Sequence, residues 1–195
     1  MVEPDHACKY CGIHDPKCVV QCITTGKWFC NGRGKTSSSH IVQHLLRSRN
    51  KEVRLHSESD MGNVTLECYQ CQQRNVFLLG YVPSKEDSVV VLLCRDPCLN
   101  NGALKELNWD VSQWEPLISD KTFLPFLVRQ PSEKAQLRAR QLPQAALTAL
   151  EVLWRTEPDA TVYDLDRKID EEGGTEMQPM QLRYEDGYEY QNILA

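Results

Sequence analysis

Between Cys8 and His44 the chain packs five cysteines and three histidines into 37 residues, at spacings that few chemistries other than metal binding use. The stretch reads C-K-Y-C-G-I-H-D-P-K-C-V-V-Q-C-I-T-T-G-K-W-F-C, passes through a Gly/Ser-rich loop and closes with H-I-V-Q-H. Zn²⁺ takes four tetrahedral nitrogen or sulfur ligands, and a C-x2-C turn presents two thiolates to one ion from one short loop. Cys8 and Cys11 make such a turn, and Cys30, His40 and His44 offer further ligands. A second set follows at Cys68-x2-Cys71 and Cys94-x3-Cys98.

The competing reading of these thiols is a disulfide framework. Nine cysteines is an odd number, and the N-terminus M-V-E-P-D-H has neither the basic region nor the apolar core of a secretory signal. A reducing compartment, the cytoplasm, is therefore expected, where disulfides are disfavoured and metal is the better use of paired cysteines. Cys18, outside any pair, reads as a buried small hydrophobe. No apolar run approaches the roughly 18 residues that span a bilayer, so no membrane partner is expected. A formal net charge of −5 argues against a dedicated nucleic-acid surface, because phosphate contacts dominate such affinity.

Local patterns predict short elements around the clusters. Val19-Val20 and Lys27–Phe29 read as two strands entering Cys30. The G-K-T at 34–36 is not a phosphate-binding loop, since that motif needs a glycine at position 29 and Phe29 stands there. Ser37, Ser38 and Ser39 are cap candidates for a helix to about Arg49, with Ile41, Val42, Leu45 and Leu46 as its apolar stripe and His40 and His44 four apart on one face. The gaps of 28 residues from Cys11 to His40 and 17 from Cys22 exclude a simple two-Cys, two-His finger, and an interleaved pair of sites sharing the helix is expected instead. Glu52–His56 reads as a strand. Asn75–Val82 and Ser88–Leu93 read as a hairpin through which Cys68, Cys71, Cys94 and Cys98 close a four-thiolate site. Beyond Cys98, Trp109, Trp114, Pro116, Leu117 and Ile118 read as packing residues, and 123–128 as an apolar helical segment broken by Pro125. A helix capped by Ser132, another from Pro143 with Ala146, Leu147, Leu150, Leu153 and Trp154 apolar, and a third behind a capping box at Thr161–Asp164 follow. Residues 170–174 read as a linker, and the tail from Leu182 as the start of something further.

H-A-C-K-Y-C-G-I-H-D-P (6–16), K-W-F-C-N-G-R-G (27–34), S-H-I-V-Q-H-L (39–45), N-V-F-L-L-G (75–80), S-V-V-V-L-L-C-R (88–95) and L-R-Y-E-D-G-Y-E-Y-Q-N (182–192) resemble one family. It is the N-terminal cysteine–histidine-rich domain of the up-frameshift RNA helicase of nonsense-mediated mRNA decay, and the resemblance covers nearly the whole chain. It implies an α+β fold of two RING-like or U-box-like zinc modules with short β-hairpins, followed by C-terminal helices: a lead-in at 1–7, modules at 8–63 and 64–130, a helical extension at 131–170, and a junction towards a helicase core at 171–195. It pairs Cys8, Cys11, Cys30 and His40 around one zinc, and Cys68, Cys71, Cys94 and Cys98 around another. A third would take Cys22, position 25, His44 and position 50. Here those two positions are Thr25 and Asn50, poor zinc donors, so the third site is expected to be weak unless Cys18 or His56 completes it.

The resemblance also implies function. The domain binds the C-terminal region of the second up-frameshift factor and restrains its own helicase core, RNA contact being indirect through that core. Shuttling through the nucleus accompanies the cytoplasmic expectation. The residues agree with an interaction module rather than a catalyst, because closed tetrahedral zinc leaves no open position and no acid/base constellation stands out. Phe77, Val89 and Val91 are the candidate docking residues, with core packing as the alternative for each. The rival class is a RING-like ubiquitin ligase module, resting on fold analogy alone.

Overall fold

The computed structural model describes residues 3–83, 90–100 and 109–171. It is a small mixed α/β fold with two three-stranded antiparallel sheets, a two-stranded hairpin and short helices among the described residues. In the first sheet β1 (Val19–Cys22) is central, flanked by β2 (Trp28–Cys30) and β3 (Val53–Leu55). Its β-branched and aromatic side chains suit a pleated surface packed on one side. Val20, Phe29, Val53 and Leu55 are buried, while Arg54 between the last two points out.

Helix α1 (His40–Ser48) lies on this sheet with Ile41, Val42, Leu45 and Leu46 inward, as the stripe requires. Ser39 is its N-cap, but by backbone rather than side chain: its amide bonds Lys121 O at 3.0 Å, and its hydroxyl is buried without a hydrogen-bond partner. The helix stops at Arg49, which takes a left-handed conformation with φ of 62°.

In the second sheet β4 (Leu79–Pro83) lies between β5 (Val90–Cys94) and the two-residue β6 (Glu115–Pro116). β4 begins four residues later than its β-propensity suggests. The Asn75 side chain accepts the Phe77 amide at 3.0 Å and Leu78 N bonds Asn75 O at 2.9 Å, so 75–78 is a turn. Phe77 therefore precedes the strand instead of lying on it. Trp114 lies flat on Gly80, where a Cβ would meet the indole at 2.2 Å, and its Nε1 donates to Leu93 O at 3.0 Å. Trp109, Trp114 and Ile118 pack against the core and Leu117 is fully buried, as expected, but Pro116 is exposed.

The apolar stretch at 123–128 is not helical. β7 (Ile118–Ser119) and β8 (Thr122–Phe123) form a hairpin turning through Asp120 and Lys121, both at positive φ, and only a single turn follows around Pro125. The reason is long-range. Asn31, fully buried, accepts Phe123 N at 2.9 Å and donates to Phe123 O and Val128 O, both at 2.9 Å, pinning both ends of the stretch to the end of β2.

Three helices complete the chain. α2 (Glu133–Arg138) is capped by Ser132 Oγ, which accepts Ala135 N at 3.0 Å. α3 (Gln144–Trp154) buries Leu147, Leu150, Leu153 and Trp154 against α1. α4 (Val162–Glu171) opens with the reciprocal Thr161–Asp164 cap and packs on α3. It carries Asp170 and Glu171 within the helix, where a linker was expected to begin; residues 172–195, like 84–89, lie outside the described residues. No helix among the described residues is long and apolar enough to cross a membrane.

Asn31 gives a direct test of this long-range tie. Replacing it by alanine removes three buried hydrogen bonds at roughly 1 kcal/mol each, so Asn31→Ala should lower unfolding stability by about 3 kcal/mol with bound metal unchanged. Urea unfolding checks this, and an unshifted midpoint would refute it.

Candidate metal centres

The first centre is assembled from three elements. The knuckle at Cys8–Cys11 is closed by Cys8 N to Ile13 O at 2.7 Å and Gly12 N to Cys8 O at 2.9 Å, with Gly12 at φ of 88°, a conformation glycine adopts without cost. Cys30 ends β2, and His40 opens α1. The four ligand atoms lie within 4.8 Å of one another, and all four residues are buried. Cys11 Sγ is 3.7 Å from Cys30 Sγ, and His40 Nδ1 is 3.6 Å from Cys8 Sγ and 3.5 Å from Cys30 Sγ. A zinc tetrahedron with Zn–S near ~2.3 Å and Zn–N near ~2.05 Å has S–S edges of about 3.8 Å and S–N edges of about 3.6 Å. The residues thus fit Zn²⁺ in size as well as in chemistry. Burial drives the Cys30 thiol up, reinforced by the neighbouring thiols, whereas at Cys8 burial is outweighed by hydrogen bonds from Cys11, Cys30 and His40, which hold it well below the ordinary thiol range.

The second centre brackets sheet two. Cys68 and Cys71 form a second knuckle, closed by Cys68 N to Gln73 O at 2.8 Å and Gln72 N to Cys68 O at 2.9 Å. Cys94 ends β5 and Cys98 opens the following 3₁₀ turn. The four sulfurs lie within 4.8 Å of one another, with Cys71 to Cys94 at 3.8 Å, again a tetrahedral edge for zinc. Burial raises the Cys68 thiol, but backbone amides of Cys71, Cys94 and Gln70 favour its thiolate and bring it down to about 7. Knuckle, strand end and turn thus converge on one ion, as the spacing of the four cysteines predicts. In both centres zinc neutralises the clustered thiolates and fixes the crossing of elements too short to hold themselves.

Cys22 and His44, expected to share a third ion, do come together, but no third group of three or more Cys, His, Asp or Glu ligands converges among the described residues. His44 Nδ1 donates to Glu151 Oε2 at 2.7 Å, and its Nε2 is buried with no hydrogen-bond partner. Burial would raise Cys22 and lower His44. Instead His44 and Thr25 bring the Cys22 thiol to about 7, and Glu151 with Cys22 raises His44 to about 9. The alternatives for completing the site are occupied elsewhere. Cys18 faces Asp15, Asp60 and Arg129, and His56 stacks edge-on with His6 at 4.6 Å while its Nδ1 accepts the Glu58 amide. Of the docking candidates, Phe77 is half-buried, Val91 is buried at 7% exposure, and Val89 lies outside the described residues.

Two residues of this region carry no metal-ligand signature and are missed by spacing. Tyr10, inside the first C-x2-C, is fully buried, donates its hydroxyl to Glu151 Oε2 at 2.7 Å and stacks on Trp154 at 5.7 Å. Glu151 does have a readable signal: a carboxylate four residues after Leu147, on the face of α3 that the apolar stripe buries.

Cys94→Ser should remove one zinc and loosen the β4–β5 hairpin, since binding free energy at such sites is largely folding free energy. Metal content per chain and thermal unfolding measure this together. A variant with full metal and an unchanged melting curve would contradict the structural role.

The geometry agrees with what known proteins share with this sequence. A family model described as RNA helicase (UPF2 interacting domain) matches residues 6–157. The "Regulator of nonsense transcripts 1 homolog" of Arabidopsis thaliana is 58% identical over 194 residues, covering 98% of this chain and 15% of that protein. Its Drosophila melanogaster counterpart is 56% identical over 194 residues, 98% of this chain and 16% of that protein. The "ATP-dependent helicase upf1" of Schizosaccharomyces pombe is 46% identical over 188 residues, 96% of this chain and 20% of that protein. The chain thus spans no more than about a fifth of these relatives. Residues 6–157 contain every zinc ligand of both centres, and on that match the chain belongs to the zinc-binding, UPF2-interacting domain family of RNA helicases.

Proposed function

We propose that this chain is a regulatory protein-interaction module of an RNA helicase acting in nonsense-mediated mRNA decay. It docks the C-terminal region of the second up-frameshift factor and restrains the helicase core to which it is joined, in the cytoplasm and during passage through the nucleus. The observation that carries the reading is the match of residues 6–157 to a family described by this interaction. The chemistry supports it, since both four-ligand centres are closed and have the geometry of structural rather than catalytic zinc. Around the second sheet Leu78, Phe126 and Tyr69 expose 49%, 40% and 63% of their surface, an apolar supply suited to protein docking.

The RING-like or U-box-like character of the modules belongs to the same proposal. Its support is ligand order: Cys8 and Cys11 serve one centre, Cys22 comes next, Cys30 and His40 return to the first centre, and His44 closes the series beside Cys22. That alternation has the interleaved character of a cross-brace, although it is not the usual RING order of alternating C-x2-C pairs. It speaks to architecture, and ubiquitin transfer does not follow from it.

Binding of the purified chain to the partner's C-terminal region, read by calorimetry, tests the function. Phe77→Glu and Val89→Glu should each weaken binding at least tenfold, as loss of a central apolar anchor costs ~2 kcal/mol or more, with zinc content unchanged. Normal binding by both variants would move the docking surface elsewhere, and absence of binding by the unaltered chain would refute the reading. The chain by itself should hydrolyse no ATP, having no phosphate-binding loop, and measurable turnover would overturn that.

A further inference from the structure

The two zinc centres are built on the same knuckle but are sheltered very differently. In each, the amide of the first cysteine donates to the carbonyl five residues on, and its carbonyl accepts the amide four residues on. The pairs are Cys8 N to Ile13 O at 2.7 Å with Gly12 N to Cys8 O at 2.9 Å, and Cys68 N to Gln73 O at 2.8 Å with Gln72 N to Cys68 O at 2.9 Å. Both turns pass through a residue at positive φ, Gly12 at 88° and Gln72 at 61°.

The first knuckle lies under a roof. Arg140 N donates to Cys11 O at 3.1 Å and Arg140 Nε to Tyr10 O at 3.2 Å. Glu3 pairs with Arg140 at 2.6 Å and approaches so closely that a Cβ on Gly12 would meet its Oε1 at 2.6 Å. Cys11 is accordingly only 4% exposed. The second knuckle carries Gln70 where the first has the buried Tyr10, and Gln72 where the first has glycine, so a polar side chain stays in water and a close approach is blocked. Residues 69–74 are all exposed. Of the ligands of both centres Cys71 alone is exposed, while Cys68, Cys94 and Cys98 behind it are buried.

As a zinc ligand Cys71 is deprotonated, and a thiolate in contact with water is the form that two-electron oxidants attack. A second thiol able to resolve the product stands ready, since Cys94 Sγ is 3.8 Å from Cys71 Sγ. We propose that Cys71 is an oxidation site through which hydrogen peroxide opens the second centre, by way of a Cys71–Cys94 disulfide, while the first centre is spared. Cys71 Sγ attacks one peroxide oxygen: the S–O bond forms as the O–O bond breaks, the sulfur gives up two electrons, and the other oxygen leaves as hydroxide. Cys94 Sγ then attacks the Cys71 sulfur, forming the S–S bond and expelling the sulfenic oxygen as hydroxide. Cys68 and Cys98 remain, two ligands where a closed structural site needs four.

The change reaches the second sheet directly. Tyr69 N donates to Leu92 O at 2.7 Å, and Cys94 ends the same strand, β5. Beside the knuckle a cleft of about 370 Å³ is lined by Leu66, Tyr69, Gln72, Val91 and Leu127. Opening the centre loosens that cleft, so peroxide weakens partner docking; this second step rests on the docking function proposed above, whereas the oxidation itself does not.

The test uses the whole chain with zinc bound. Hydrogen peroxide is added, zinc release is followed with a chromogenic indicator, and cysteine pairs are mapped by alkylation and peptide mass. Zinc release should accompany a Cys71–Cys94 disulfide, with Cys8, Cys11 and Cys30 still reduced, and a sulfenic-acid trap should label Cys71 first. Dithiothreitol with added zinc should reverse both changes. Glu3→Ala combined with Arg140→Ala strips the side chains over the first knuckle and should extend the peroxide sensitivity to Cys11. Oxidation of Cys8, Cys11 or Cys30 as fast as Cys71 in the unaltered chain would overturn the proposal, as would a disulfide that omits Cys71 or no release of zinc. Pairing of Cys71 with Cys68 or Cys98 would overturn the role of Cys94, and an unchanged first centre in the double variant would overturn shielding as the cause. If the double variant fails to fold, the alkylation map of the unaltered chain decides. Binding of the second up-frameshift factor's C-terminal region is measured before and after peroxide. Binding that survives complete oxidation would overturn the regulatory step alone, while a reduced chain that does not bind would refute the docking function and leave the oxidation site standing.

Discussion

Four buried donors brought within 4.8 Å of one another constitute the interaction on which the rest depends. Thiolates that close repel, and burial penalises each of them, so the arrangement is favourable only around a cation. Zinc removes both costs at once and fixes a tetrahedron whose edges match the observed 3.5 to 3.8 Å separations. The consequence for the fold is direct. β2 has three residues and β3 has three, lengths that cannot hold a sheet by themselves, yet the Cys8 knuckle, the end of β2 and the start of α1 are bound to one point.

A second tie joins the zinc-bearing segment to residues more than a hundred positions away. Tyr10 and His44 both donate to Glu151, and Tyr10, Phe29, His44 and Trp154 form one aromatic cluster between α1 and α3. Asn31 makes the equivalent connection to Phe123 and Val128. A buried carboxylate and a buried amide are expensive unless every polar atom is satisfied, and such groups specify one docking geometry more sharply than apolar contact does. The C-terminal helices are consequently seated against the zinc module. A surface that receives a protein partner benefits from such a rigid frame, since ordering costs at an interface subtract from affinity.

Cys22 and His44 meet with no third Cys, His, Asp or Glu ligand converging on them among the described residues. His44 is stacked on Phe29 and bonded to Glu151, and the α1 stripe stays buried on the sheet, so packing and a carboxylate hold this part of the helix in place. The remaining donors keep their orientation because it is set by neighbours rather than by a full set of ligands.

Much of this was legible in the sequence. The C-x2-C pairs, the C-x3-C and His40 mark the residues that converge in the two centres, because ligand chemistry and short-loop geometry are local. The α1 stripe, the Ser132 cap, the Thr161–Asp164 box and the α3 stripe were legible for the same reason. Expectation failed in two ways, through a partner distant in sequence at 123–128 and through a local side-chain turn at Asn75. Phe123–Val128 has an apolar, helix-compatible pattern, but Asn31 captures its backbone from 92 and 97 residues away. Asn75 delays β4 through a side-chain capture that β-propensity does not register. That Glu151 bonds Nδ1 of His44 and leaves its Nε2 buried without a hydrogen-bond partner depended on how α3 packs against α1. Sequence by itself determined the donors, because coordination is a property of residue type and spacing; tertiary structure alone decided their orientation, because that is set by buried groups brought from the other end of the chain.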